Sequence, residues 1–233
     1  RLARRRPPTQ RPVTRRMNQE TITYLTNIVI GVILAALATN YWWQRRRSRG
    51  KTCWAIAAWV LTAADVLFAT RQVLPHALGR LLPTLCVTAG QIVLLLGAQK
   101  TAGMEPRWRI GAAVLLLHAA GLIGFLFVAS PSMLRMAFNG LIWGGLAVLS
   151  GLCLRDGATY FWRSLFAPAW AFFAHAAFHA LRVVLAILCA QNDWSRAADV
   201  LQVAGDLEVS FFMVALFGGL LIAHLQQQHE ELM

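Results

Sequence analysis

The sequence predicts an all-α membrane protein, a seven-transmembrane helix bundle, and three observations predict it: an excess of apolar residues, seven apolar runs of bilayer-spanning length, and basic residues gathered between those runs. Of the 233 residues, 58% are hydrophobic and 14% charged, whereas a soluble domain has about 45–50% and about 25% respectively. Such a chain has too few polar side chains to cover itself in water, so its expected surroundings are a lipid bilayer. The net charge of +12 would fit nucleic acid if it were gathered on one face. Instead it falls in short runs, at Arg45, Arg46, Arg47, Arg49 and Lys51 and again at Lys100, Arg107 and Arg109. That is the pattern of cytoplasmic loops, and no nucleic-acid partner is expected.

A helix needs about 20 mostly apolar residues to cross a bilayer. Seven runs qualify: Thr21 to Trp43, Cys53 to Leu74, Leu81 to Ala98, Ile110 to Ser130, Met133 to Leu154, Leu165 to Ala190 and Val200 to Leu225. Each is read as a helix, because backbone exposed to lipid must satisfy its own hydrogen bonds. The third run is the shortest and contains Pro83, expected in its first turn, where the missing N–H would have no partner anyway. Pro168 near the start of the sixth run reads the same way.

Loop charge sets direction. The connections after spans one, three and five carry the basic residues, with Arg155 and Arg163 in the last. Those after spans two, four and six hold Arg71, Arg80, Arg135 and Arg196, partly offset by Asp193 and Asp199. The expected topology has the N-terminus outside and the C-terminus cytoplasmic. Residues 1–16, RLARRRPPTQRPVTRR, conflict with it, being basic, Pro-containing and expected to be irregular. Met17 opens MNQETITY, which has no basic residue, and is read as the natural start, with 1–16 a leader foreign to the functional protein. A true cytoplasmic tail would instead need an even number of spans or an inverted bundle. The bundle is placed at 17–226, and residues 227–233 as the start of a cytoplasmic helix.

That last helix has no terminator. It runs through Ile222, Ala223 and His224 into LQQQHEELM, which lacks Gly and Pro. Leu221, Leu225, Gln228 and Leu232 follow a 4-3-4 spacing, the beginning of a heptad seam on which two copies could pair as a homodimer. The pattern is interrupted at Met233, and the chain is read as part of a longer protein.

Ionisable groups within spans cost about 2.5–3.5 kcal/mol each on insertion scales, so Asp65, His175, His179, Arg182 and Asp206 are the candidate site. His175, His179 and Arg182, at i, i+4 and i+7, share one stripe of span six. Asp199, Gln202, Asp206 and Ser210 form a stripe on span seven, and Thr62, Asp65 and Gln72 a face of span two. With a rise of about 1.5 Å per residue, Asp65 and Arg182 lie about 10 Å inside the outer boundary, with Asp206 slightly shallower. Arg182 is therefore expected to pair with Asp65 or Asp206. The pairs either only hold helices together or line an outward-facing cavity for a small extracellular or membrane-borne stimulus.

His175 and His179, one turn apart, also have the spacing for a metal or a haem. No third ligand is evident at matching depth, since His118 lies mid-span and His76 and His224 lie at opposite ends. The expectation is neutral histidines hydrogen-bonded within the bundle and no cofactor. Trp42, Trp43, Trp54, Trp108, Trp162 and Trp194 fall near span ends, as an aromatic belt does. Cys53, Cys86, Cys153 and Cys189 match neither a metal spacing nor a disulfide framework. No nucleophile–base constellation or paired-carboxylate spacing marks a catalytic site.

Four stretches carry a resemblance: WAIAAWVLTAADVLFATRQVLP in span two, GQIVLLLGAQKTAG closing span three, HALRVVLAIL in span six and IAHLQQQHEEL leaving span seven. With these the chain after Met17 resembles the multi-spanning N-terminal sensory regions that precede GGDEF diguanylate cyclase domains in bacteria, and sometimes histidine kinases. Such regions similarly carry an Arg followed by Leu-Pro at the outer end of the second span, a small-residue exit from the third and an Arg in the sixth. The resemblance implies an input domain in the bacterial inner membrane that regulates c-di-GMP synthesis by a C-terminal domain. These residues hold neither the cyclase signature nor a Gly-rich phosphate loop. The alternatives are a haem-binding or electron-transfer membrane protein using His175 and His179, and a small transporter, for which no inverted repeat is found.

Overall fold

The structure, a computed structural model, describes residues 13–44, 50–127, 132–160, 165–192 and 195–232. Among them are seven helices: α1 (Val13–Gln44), α2 (Lys51–Ala69), α3 (His76–Thr101), α4 (Trp108–Phe127), α5 (Ser132–Tyr160), α6 (Phe166–Asn192) and α7 (Ser195–Leu232). Each contains a stretch of 19 to 26 residues long and apolar enough to cross a membrane. The chain is a multi-pass membrane protein.

Six helices close a ring, α1 against α2, α2 against α3, α3 against α5, α5 against α6, α6 against α7, and α7 back against α1. Helix α4 stands outside it, packed on α3 and α5. It is the most apolar and least buried of the spans, which suits a helix facing lipid on most sides. Its buried residues are Gly111, His118 and Leu122, and His118 makes the polar attachment. Trp143 Nε1 donates to Thr88 Oγ1 at 3.0 Å, Thr88 Oγ1 lies 2.7 Å from His118 Nδ1, and His118 Nε2 lies 3.0 Å from Asn139 Oδ1. A neutral His118 protonated on Nε2 donates to Asn139 Oδ1, and the single Thr88 hydroxyl proton is shared between His118 Nδ1 and the Thr84 carbonyl, 3.0 Å away. Such contacts between membrane helices contribute about 0.6–2 kcal/mol each.

The two ends of the ring differ in composition. At the end where α1 hands over to α2 the interior is apolar, with Trp54, Leu94, Leu154, Leu165, Phe172 and Leu216 packed together. Small residues bring the backbones close, as is usual where lipid supplies no hydrophobic drive between helices: Ala57, Ala58, Ala98 and Ala147 are fully buried. At Gly90 a Cβ would lie 2.6 Å from Leu61 Cδ2, so the α2–α3 approach depends on its absence.

Several expectations are corrected. Helix α3 begins at His76, so Pro83 lies inside it and not in its first turn; its missing N–H frees one carbonyl, a defect that neighbouring helices accommodate in membranes. Pro168 does fall in the first turn of α6. Helix α2 ends at Ala69, so Gln72 lies in the turn beyond it and not on a helical face with Asp65. Trp54 is no interfacial anchor: it is 7% exposed and its Nε1 donates to Thr101 Oγ1 at 3.0 Å. Trp43 and Trp108 are exposed, as a belt requires, while Trp162, Trp194 and the Trp42 side chain lie outside the described residues. So do residues 1–12; α1 starts at Val13, so residues 13–16 are helical. The four cysteines are free thiols.

Candidate functional site

At the other end of the ring the interior is polar. The starts of α1, α3, α5 and α7 and the ends of α2 and α6 surround a cavity of about 680 Å³. Asp65, His175, His179, Arg182 and Asp206 all line it. Arg71, Arg80 and Arg135 line it as well, and Arg135 feels the charge of the other two.

The ion pair expected of Arg182 is indirect. Its Nη2 donates to Gln202 Oε1 at 3.3 Å, and Gln202 Nε2 donates to Asp206 Oδ1 at 3.0 Å. The bridging glutamine stands one turn before Asp206 on α7, which is why its amide can link the guanidinium to that carboxylate. Asp206 is further held by the Tyr24 hydroxyl. Its backbone carbonyl accepts from Asn27 Nδ2 at 2.9 Å, and the Ser210 hydroxyl donates to Asn27 Oδ1. These contacts lock α7 to α1. Asp65, on α2, comes near Asp206 and has no hydrogen-bond partner among the described residues, so one carboxylate is left facing the cavity.

Gly205 makes room for Arg182: a Cβ there would lie 2.8 Å from the guanidinium carbon. Gly205→Ala is expected to push the guanidinium aside at a cost of about 1 kcal/mol, the low end for overpacking because the end of a long side chain can shift. In an Arg182→Ala background the same change should cost almost nothing. Denaturation midpoints of the four proteins in detergent give this cycle, and additive losses would refute the close approach.

The histidines differ from each other. His175 is 2% exposed and stacked on Phe212, with ring centroids 3.9 Å apart. Its Nε2 lies 3.1 Å from Gln91 Nε2, and its Nδ1 lies 2.7 Å from Glu208 Oε1. It fits the expectation of a hydrogen-bonded core histidine. His179 does not: it is equally buried, packed edge to face on His175 and Trp143, and neither ring nitrogen has a partner among the described residues. The two imidazoles are 4.5 Å apart between centroids, which leaves no slot between them for a porphyrin.

Glu208 was not among the predicted residues, and it is the third group at matching depth that the sequence reading did not find. His175, His179 and Glu208 each offer a ligand atom within 4.8 Å of the others. It was missed because the α7 stripe was drawn through Asp206, and a residue two further on points about 200° away at 3.6 residues per turn. Its signal was its charge alone, a carboxylate inside an apolar span. Of the residues expected to form the heptad seam, Leu221 and Leu225 are exposed on α7. Gln228 and Leu232 continue the same helix, with side chains outside the described residues. No protein-family model, curated protein or solved structure matches this chain, so its function has to be argued from the chemistry of the site.

Proposed function

We propose that this chain is the membrane-embedded input domain of a bacterial signalling protein, taking a small polar ligand into the cavity and regulating a cytoplasmic diguanylate cyclase. The observation that carries this reading is the continuity of α7. One unbroken helix of 38 residues supplies Gln202 and Asp206 to the cavity wall and continues to Leu232 past the opposite end of the bundle. At about 1.5 Å per residue it couples the polar end to whatever follows. The loop-charge pattern supports a cavity open to the outside and a C-terminus in the cytoplasm. The resemblance in spans two, three, six and seven supports the cyclase as output.

Three arginines near the opening favour a ligand that carries an anionic group, as guanidinium pairs well with carboxylate or phosphate. The facing carboxylates, Asp65 and Asp206, suit a cationic or hydrogen-bond-donating part of the same molecule. Binding shifts a signalling equilibrium only if the ligand prefers one of two packings. The Arg182–Gln202–Asp206 bridge between α6 and α7 is the contact such a ligand would remodel. To test this, the chain is fused through α7 to a diguanylate cyclase catalytic domain and c-di-GMP is measured in cells. Asp65→Asn, Arg182→Gln and Asp206→Asn are each expected to move the output several-fold at equal membrane abundance. Output unchanged in all three would remove the cavity from the signalling route.

A further inference from the structure

We infer that His175, His179 and Glu208 form a binding site for a divalent transition-metal ion, Zn²⁺ foremost, between α6 and α7. Two imidazoles and one carboxylate are a ligand set that zinc accepts, leaving one position open. The two histidines stand at i and i+4 on one helix face, so a single ion can meet both. Glu208 reaches them from the neighbouring helix, already 2.7 Å from His175 Nδ1. All three ligand atoms lie within 4.8 Å of one another. Tetrahedral zinc with bonds of about 2.0–2.2 Å holds its ligands about 3.3 Å apart, so the His175–Glu208 contact opens slightly and the wider separations close, adjustments that side-chain torsions supply.

The stronger argument is the set of atoms left without partners. Both nitrogens of His179 and Glu208 Oε2 are buried and make no hydrogen bond among the described residues, although buried polar groups are nearly always paired. They belong to two of the three groups in the cluster. Gln91 completes the arrangement as an orienting residue. Its Oε1 is also buried and unpaired while its Nε2 faces His175 Nε2, and the choice between the two amide orientations rests on the hydrogen-bond network. Turned over, Gln91 Oε1 accepts from His175 Nε2–H, which fixes the tautomer and leaves the Nδ1 lone pair for the metal. Metal-bound histidines commonly have such an outer partner. Both histidines line the cavity, which gives an ion and its fourth ligand a path to the centre. Arg182, one turn beyond His179, opposes a cation, and the bridge through Gln202 to Asp206 offsets its charge.

The test uses untagged full chain in detergent, stripped with chelator and titrated with Zn²⁺ by calorimetry and with Co²⁺ by visible absorption. The expected result is one ion per chain, with the intense Co²⁺ bands of a four-coordinate site. His175→Ala, His179→Ala and Glu208→Ala should each weaken binding by about 100-fold or more, since affinity follows the ligand set. Gln91→Ala should weaken it by about 10–100-fold, as loss of an outer partner does. Should the alanine variants unfold, His179→Gln and Glu208→Gln keep most of the volume, and added Zn²⁺ should raise the melting temperature of the unaltered chain but not of either variant. No binding at micromolar Zn²⁺, or binding that survives the changes at His179 or Glu208, overturns the site. The readout needs no output domain, so its failure would leave the signalling reading to its own experiment.

Discussion

Phe172→Ala is expected to destabilise the bundle by about 3 kcal/mol, the low end of the range for such truncations in soluble cores. Phe172 is fully buried and packs against Trp54 from α2 and Phe212 from α7, with ring centroids 6.4 Å and 5.4 Å away. Removing it opens a void at the junction of three helices. A side chain leaving this core meets lipid and not water, so the loss is mainly of dispersion contacts. That places the effect at the low end. Phe212 is also the ring on which His175 stacks, so the void lies directly beneath the polar cluster. Ile187→Ala, on the exposed face of the same helix, should cost little. Denaturation in mixed micelles followed by Trp fluorescence compares the two, and equal midpoints for both variants would mean that the apolar end is not a packed core.

The fold was legible because it depends on quantities that a sequence displays. Bilayer thickness sets the span length, and apolar runs of that length can hardly be anything but helices. What could not be read was which face of each helix meets which neighbour. Apolar residues facing lipid and those facing the interior look alike, so the exclusion of α4 from the ring had no signature before packing was known. Trp54 shows the same ambiguity: proximity to a span end suggested an interface, whereas its ring is buried against Phe172 and hydrogen-bonded to Thr101. The cavity residues were better determined, since burying a charge in a span requires company. Helical rise gave Asp65, Arg182 and Asp206 a common expected depth, and the three line one cavity. The rise did not fix rotation, so Gln202 as the bridging group and Glu208 as the partner of His175 emerged only from the packed helices.

The orientation of α7 about its own axis supplies the other large effect. In the cyclase fusion, inserting one to three alanines after Leu225 is expected to change c-di-GMP output by about tenfold, the consequence of about 1.4 kcal/mol between two output arrangements. Each residue turns everything beyond it by about 100° and advances it by about 1.5 Å. One insertion thus carries Gln228 and Leu232 off the line that Leu221 and Leu225 begin. Seven residues restore the phase to within about 20° of the original, because a heptad nearly matches two turns. The seven-residue insertion should therefore recover most of the original output while moving the output domain farther from the membrane than any shorter insertion does. Output that falls steadily with insertion length, with no recovery at seven, would show that distance and not helical phase matters. Output indifferent to every insertion would mean that α7 tethers the following domain without instructing it. Recovery at seven ties the seam formed by Leu221, Leu225, Gln228 and Leu232 to the way two copies pair. The cavity contacts of Gln202 and Asp206 would then lie on the same rigid rod as that seam, so a small rotation of α7 at the polar end would be felt at the output end.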